Sequence, residues 1–198
     1  MSRRIFIVRH GNTFAPGEEP RRIGARTDLP LVESGRRQAE ALGRWFAEES
    51  IVAGRLLSGP LRRARETAAA IGVALGHDGV ETRPWLDEID HGPDEGRVEA
   101  EVIARIGLAA IEAWDRCALP PPGWTVDAGA RLAGWRSFLA EEGEGVDILC
   151  TSNGAARFAL MTLGETPESL KLRTGAFGEI RVEAGGARLV RWDVRPEA

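Results

Sequence analysis

Ile5-Phe6-Ile7-Val8-Arg9-His10-Gly11-Asn12-Thr13 is the stretch that decides the architecture. Four consecutive apolar residues without alternation read as a strand buried on both faces, the habit of a parallel sheet covered by helices on each side. The strand runs out into a guanidinium, an imidazole and a glycine. In open α/β sheets ligands bind beyond the carboxyl ends of the strands, so Arg9 and His10 stand where a site is expected. Gly11 lets backbone N–H groups approach an anion. An imidazole held beside a guanidinium can attack a phosphoryl group whose charge the guanidinium neutralises.

A second apolar strand, Val146 to Thr151, ends in Ser152-Asn153-Gly154. Its end and that of the first strand are the expected floor of the site. Ser34 is the expected N-cap of a helix reaching Glu49, with Ala39, Leu42 and Phe46 as its buried stripe. A strand follows at Arg55 to Ser58. Gly59-Pro60 then opens a helix with proline at its first position, where the missing N–H costs nothing. Leu61, Ala64, Ala68 and Ile71 form its buried face, and Arg63 and Thr67 share another face four residues apart. The spacing predicts a strand near Val80 to Arg83, helices over Val98 to Arg116, Val126 to Glu141 and Ala155 to Leu163, and a hairpin from Phe177–Glu183 and Arg188–Val194. This alternation implies a three-layer α/β/α arrangement around a mostly parallel sheet.

The chain has 198 residues, enough for one domain, with a small helical cap expected from about 97–145. Its apolar runs are too short for a membrane span or a signal-peptide core. Cys117 and Cys150 cannot build a disulfide framework, so a cytoplasmic setting is expected. A net charge of −4 gives no support to nucleic-acid binding. Apart from Lys171 every basic side chain is arginine, whose planar fork suits phosphate or carboxylate.

Arg9 to Thr13 is not the only signature. Gly24, Asp28, Leu31, Gly35 and Gln38-Ala39 follow at set spacing. Next come Ser58-Gly59-Pro60-Leu61-Arg62-Arg63-Ala64-Arg65-Glu66-Thr67-Ala68, then Leu86-Asp87-Glu88-Ile89-Asp90-His91-Gly92 with Glu95-Gly96. In this order the four blocks resemble the histidine phosphatase superfamily, the phosphoglycerate mutase-like fold. The resemblance implies that His10 is the nucleophile and that Arg9 and Arg63 bind the phosphate oxygens. It implies that Glu88 is general acid and then base, and that Asn12 and Thr13 line the rim. Phosphoryl transfer is mostly positioning and charge stabilisation, which cationic forks supply. Two guanidiniums should keep the imidazole neutral. A phosphate dianion, with Asp87 and Asp90 nearby, should raise the pKa of Glu88. The implied ligand is a small phosphorylated metabolite or inorganic phosphate, with no metal or organic cofactor and no membrane partner.

The family's last signature is an apolar strand running into Ser-His-Gly, and here the histidine is Asn153. An amide can donate to phosphate but carries no charge. Losing one stabilising donor costs about 10²–10³ in rate. His77 falls in a turn, and His91, near Glu88, is placed to overhang the pocket. Thr174 and the segment Pro122 to Asp127 also depart from the pattern. Residues 97–145 match only as helices, apart from Arg131. The Leu86 to Gly96 block looks more like small bacterial members that act on alpha-ribazole phosphate or sugar phosphates. Two expectations follow: a phosphomonoesterase slowed by Asn153, or an impaired member that binds a phosphorylated ligand or a protein partner.

Overall fold

A computed structural model describes residues 2–164 and 169–198. One six-stranded sheet runs through it in the order β3-β2-β4-β1-β5-β6. Strands β1 (Arg3–Arg9), β2 (Arg55–Ser58), β3 (Glu81–Thr82) and β4 (Gly145–Thr151) are mutually parallel, while β5 (Phe177–Glu183) and β6 (Gly186–Val194) complete one edge antiparallel. The uninterrupted run in β1 is buried on both faces. Phe6 and Val8 pack with Leu42 and Phe46 of α1 (Glu33–Glu48) and with Ala68 and Ile71 of α2 (Arg62–Leu75). Ile5 and Ile7 face the opposite layer. That layer comprises Val102 of α3 (Glu99–Ile106), Trp114 of α4 (Leu108–Cys117), Trp135 of α5 (Ala128–Ala140) and Phe158 of α6 (Asn153–Leu163). The expected three-layer α/β/α architecture around a mostly parallel sheet is the one found. No described helix is long and apolar enough to cross a membrane.

Several boundaries differ from expectation for local reasons. Helix α1 begins at Glu33 with Val32 at its cap, and the Ser34 hydroxyl accepts from Asn12 Nδ2 instead of capping. Helix α2 begins at Arg62 rather than Pro60, and its first N–H donates to Asp28 Oδ1 at 2.6 Å, a cap supplied by a distant loop. The helix expected over Val98 to Arg116 is broken at Gly107, whose φ of 82° belongs to the left-handed half of backbone space. The strand near Val80 contracts to two residues. Helix α6 starts two residues early, at Asn153, with Ser152 at its cap. That shift places Asn153 and Gly154 in the first helical turn.

Register fixes the site's floor. Arg9 of β1 lies beside Thr151 of β4, and the His10 N–H donates to the Thr151 carbonyl at 3.0 Å. The segment leaving β1 is pressed against the start of α1. A Cβ on Gly11 would lie 2.3 Å from the Gly35 carbonyl oxygen, and one on Gly35 would lie 2.1 Å from that of Asn12. Backbone meets backbone here, and only glycine fits. Gly11→Ala should therefore lose stability by at least the 1–3 kcal/mol of about one overpacked methyl. Gly129→Ala, on the open face of α5, should be neutral or stabilising by up to about 1 kcal/mol. Urea denaturation of both variants checks this, and equal stability would contradict the close approach.

Candidate active site

His10 sits 4% exposed at the end of β1 with both ring nitrogens occupied. Nδ1 lies 2.8 Å from the Gly11 carbonyl oxygen, and Nε2 lies 3.2 Å from Arg63 Nε. A carbonyl can only accept and a guanidinium can only donate. Nδ1 therefore carries the proton and Nε2 the lone pair. Burial, and then the charges of Arg63 and Arg9, hold the imidazole well below its ordinary pKa, so it is neutral at pH 7.

Arg63 is fully buried on α2. Its Nη1 and Nη2 donate to the carbonyls of Thr27 and Gly24. Thr67, one turn on, donates to the Arg63 carbonyl and accepts the Gly11 N–H at 3.2 Å. The face shared by Arg63 and Thr67 thus grips both the imidazole and the loop behind it. Arg9 Nη1 donates to the Leu172 carbonyl at 2.8 Å, and its buried Nε has no partner among the described residues. Burial lowers the Arg9 pKa, with Glu88 opposing, yet a guanidinium stays charged.

Glu88 enters from the turn between β3 and α3. Its Oε1 accepts the Ile89 N–H at 2.8 Å and its Oε2 accepts the Gly154 N–H at 3.3 Å. A Cβ on Gly154 would lie 2.1 Å from Glu88 Oε1, so glycine is needed for the carboxylate to reach the start of α6. Arg131 of α5 donates to the carbonyls of Asp87 and Glu88, fixing the backbone that carries the acid. The expected rise in the Glu88 pKa is not found. Burial pushes it up, but His91, the Ile89 N–H, Arg63 and Arg131 together hold it below the ordinary carboxylate value. The expectation weighed an incoming phosphate dianion together with Asp87 and Asp90, whereas the protein groups that act on Glu88 are mainly cations and donors.

Asn153 is turned toward the cleft. Its Oδ1 accepts the Leu172 N–H at 2.9 Å, and its Nδ2 makes no hydrogen bond among the described residues. Asn12 accepts from Thr174 Oγ1 at 2.6 Å and donates its backbone N–H to Gln38 Oε1. Arg9, His10, Asn12, Thr13, Glu88, His91, Asn153 and Thr174 line one cleft of about 590 Å³. Of the expected site residues only Arg63 is absent from its wall; it is buried and hydrogen-bonded to His10 Nε2. His91 is 7% exposed, edge-on to Trp124, and its Nδ1 has no partner among the described residues.

Arg157 escaped the sequence reading. It is fully buried on α6, donates to the Asn153 and Trp114 carbonyls, and lies 4.0 Å over the Trp114 ring, with its pKa lowered by burial to about 10. A lone charge four residues after Asn153, in an otherwise apolar helix, was the available signal.

The profile of the histidine phosphatase superfamily, branch 1, matches residues 5–195, and the chain belongs to that superfamily. A 2,3-bisphosphoglycerate-dependent phosphoglycerate mutase of Methylorubrum populi is 28% identical over 187 residues, covering 88% of this chain and 87% of the mutase. Among solved structures, a protein described as mycobacterial hydrolase 1 has a TM-score of 0.81 at 23% identity, over 98% of this chain and 100% of its own. A mycobacterial glucosyl-3-phosphoglycerate phosphatase in complex with inorganic phosphate has a TM-score of 0.78 at 22% identity, over 97% of each chain. These structural likenesses establish the fold.

The Asn153–Leu172 bond has a stability consequence. Asn153→Ala strands the Leu172 N–H and should cost about 1–3 kcal/mol, read from the midpoint of urea unfolding. Asn153→His should lose less, because an imidazole Nδ1 can accept the same N–H. Indistinguishable midpoints for wild type and Asn153→Ala would show that the bond contributes nothing.

Proposed function

We propose, from this chain's membership of the histidine phosphatase superfamily, that it is a phosphomonoester hydrolase working through a phosphohistidine on His10. Its substrate would be a small phosphorylated metabolite. The observation that carries this reading is the state of His10, neutral, with its proton on Nδ1 and a lone pair on Nε2 among two guanidiniums. A nucleophilic imidazole needs that tautomer, and the guanidiniums suit a transferring phosphoryl group. Arginines supply the positive charge, so the scheme calls for no metal or organic cofactor. The helices between residues 97 and 145 act as the cap.

In the first step Nε2 of His10 attacks phosphorus, displacing its bond from Arg63. The phosphorus–oxygen ester bond breaks as the nitrogen–phosphorus bond forms, and Glu88 passes a proton to the departing alcohol oxygen. In the second step water attacks phosphorus and gives its proton to Glu88. The nitrogen–phosphorus bond breaks, His10 regains its lone pair, and the proton on Glu88 leaves with orthophosphate, which restores the carboxylate. Glu88 is held ionised before substrate arrives. The leaving group's proton therefore enters on the substrate monoanion and reaches Glu88 within the complex.

A second reading rests on Asn153, which presents a neutral amide where the family pattern has an imidazole. The chain would then bind a phosphorylated ligand or a protein partner without useful turnover. Asn153→His separates the two. A weakened enzyme should gain activity, by up to about 10²–10³, when a chargeable imidazole replaces the neutral amide donor. A folded, phosphate-binding variant no faster than the parent favours the binding protein.

Two measurements on a reactive aryl phosphate test the main reading. Wild type should yield an acid-labile phosphoprotein, and His10→Ala should yield none and lose turnover. Equal turnover by that variant would overturn the mechanism. Because the productive substrate is the monoanion, kcat/KM should fall as pH rises above about 6, the second ionisation of a phosphate monoester. A level profile far into the alkaline range would contradict the proton route.

A further inference from the structure

The cleft is electrically divided. At its floor stands Arg9, with Arg63 bonded to His10, and the Nε of Arg9 has no partner among the described residues. At its mouth it is lined by Arg21 and Arg22 and by Glu18 and Glu99. Arg21 donates to the Gly96 carbonyl and Glu18 accepts the Ala15 N–H, while Arg22 is paired with Glu99. Arg22 Nε and Nη2 donate to Glu99 Oε2 and Oε1 at 3.0 and 2.7 Å, the two-pronged geometry a guanidinium uses for any carboxylate. Glu99 is the first residue of α3, where a negative charge is favoured by the helix dipole. Between floor and mouth the wall carries Phe14, Ile23 and Trp114.

The Arg22–Glu99 pair is not needed to hold the loop. The loop is already tied to the segment before α3 by backbone bonds from the Arg22 N–H to the Arg97 carbonyl and from the Gly96 N–H to the Arg22 carbonyl. Arg21 and Val98 also form an isolated β-bridge. Glu99 is half-exposed, and an exposed ion pair adds at most about 1 kcal/mol. Its consequence falls on the ligand. The fork at the mouth that would otherwise receive an anionic group already holds a carboxylate of the protein's own.

Resting on the phosphatase reading above, we propose that the cleft selects monoesters whose alcohol part carries no second anion, and that Glu99 determines this selectivity by occupying Arg22. The favoured leaving groups are neutral, with hydroxyl or apolar surface to lay along the Phe14–Trp114 wall. Monoesters bearing a carboxylate are disfavoured, because the two-pronged fork of Arg22 already holds Glu99.

Glycerol 3-phosphate and 3-phosphoglycerate make a matched pair, differing only in a hydroxymethyl against a carboxylate. Calorimetric titration of the His10→Ala protein, which cannot form a phosphoenzyme, measures both affinities beside that of inorganic phosphate. The neutral ester should bind about tenfold tighter or more, the worth of one charged hydrogen-bonded contact. Glu99→Gln should bring 3-phosphoglycerate up by about the same factor while leaving glycerol 3-phosphate unchanged. Adding Arg22→Ala should abolish that gain. A parent that binds the carboxylated ester as tightly as the neutral one overturns the proposal. So does a Glu99→Gln variant that strengthens both esters alike. If inorganic phosphate itself fails to bind, the phosphatase reading falls and takes this proposal with it. Normal phosphate binding with the wrong ester preference defeats the selectivity claim alone.

Discussion

The contact between Arg63 Nε and His10 Nε2 organises the site. A guanidinium cannot accept, so its approach at 3.2 Å commits Nε2 to its lone pair and Nδ1 to its proton. The arrangement lasts only while the ring stays neutral, because an imidazolium would turn an N–H toward another donor beside two fixed positive charges. Burial and those charges keep it neutral. Much of the surrounding structure serves to hold Arg63 still. Thr27 and Gly24 accept its other nitrogens, and Thr67 ties its backbone to Gly11. Asp28, one residue past Thr27, caps the helix that carries it.

Close backbone approaches do the rest. Gly11 and Gly35 let the end of β1 and the start of α1 touch, and Gly154 lets Glu88 reach the first turn of α6. Leu172 uses both of its backbone groups on the site, its carbonyl on Arg9 and its N–H on Asn153. Asn153 therefore has two consequences. Its oxygen anchors the segment that steadies Arg9, and its Nδ2 is left as a donor without a partner among the described residues. A residue that lacks the charge of an imidazolium still occupies a structural post.

The fold was legible because its strongest signals are local. The unbroken run Ile5 to Val8 admits only a strand covered on both faces, and Val146 to Thr151 repeats it. Element ends were less legible, because their causes are distant. No local residue announces that Asp28 caps α2, and Gly107 marks a break only through its φ. At the site, the candidates His10, Arg9, Arg63, Asn12, Thr13, Glu88 and Asn153 could be named only through the resemblance of their sequence blocks to a family pattern. The direction of the Glu88 shift could not, since it depends on which neighbours face the carboxylate rather than which adjoin it in sequence. Arg157 and the Arg22–Glu99 pair were missed for the same reason: each is defined by a partner far along the chain.

The central claim is the charge and tautomer of His10, and nitrogen NMR of the imidazole tests it most directly. Long-range proton–nitrogen correlations on wild type, with His77 and His91 removed in turn to assign the signals, report which ring nitrogen is protonated. His10 should remain neutral with its proton on Nδ1 as the pH falls through the ordinary histidine value, because burial and the charges of Arg63 and Arg9 hold its pKa well below that. Titration near about 6.5, the ordinary value for histidine, or a proton found on Nε2, would contradict the account.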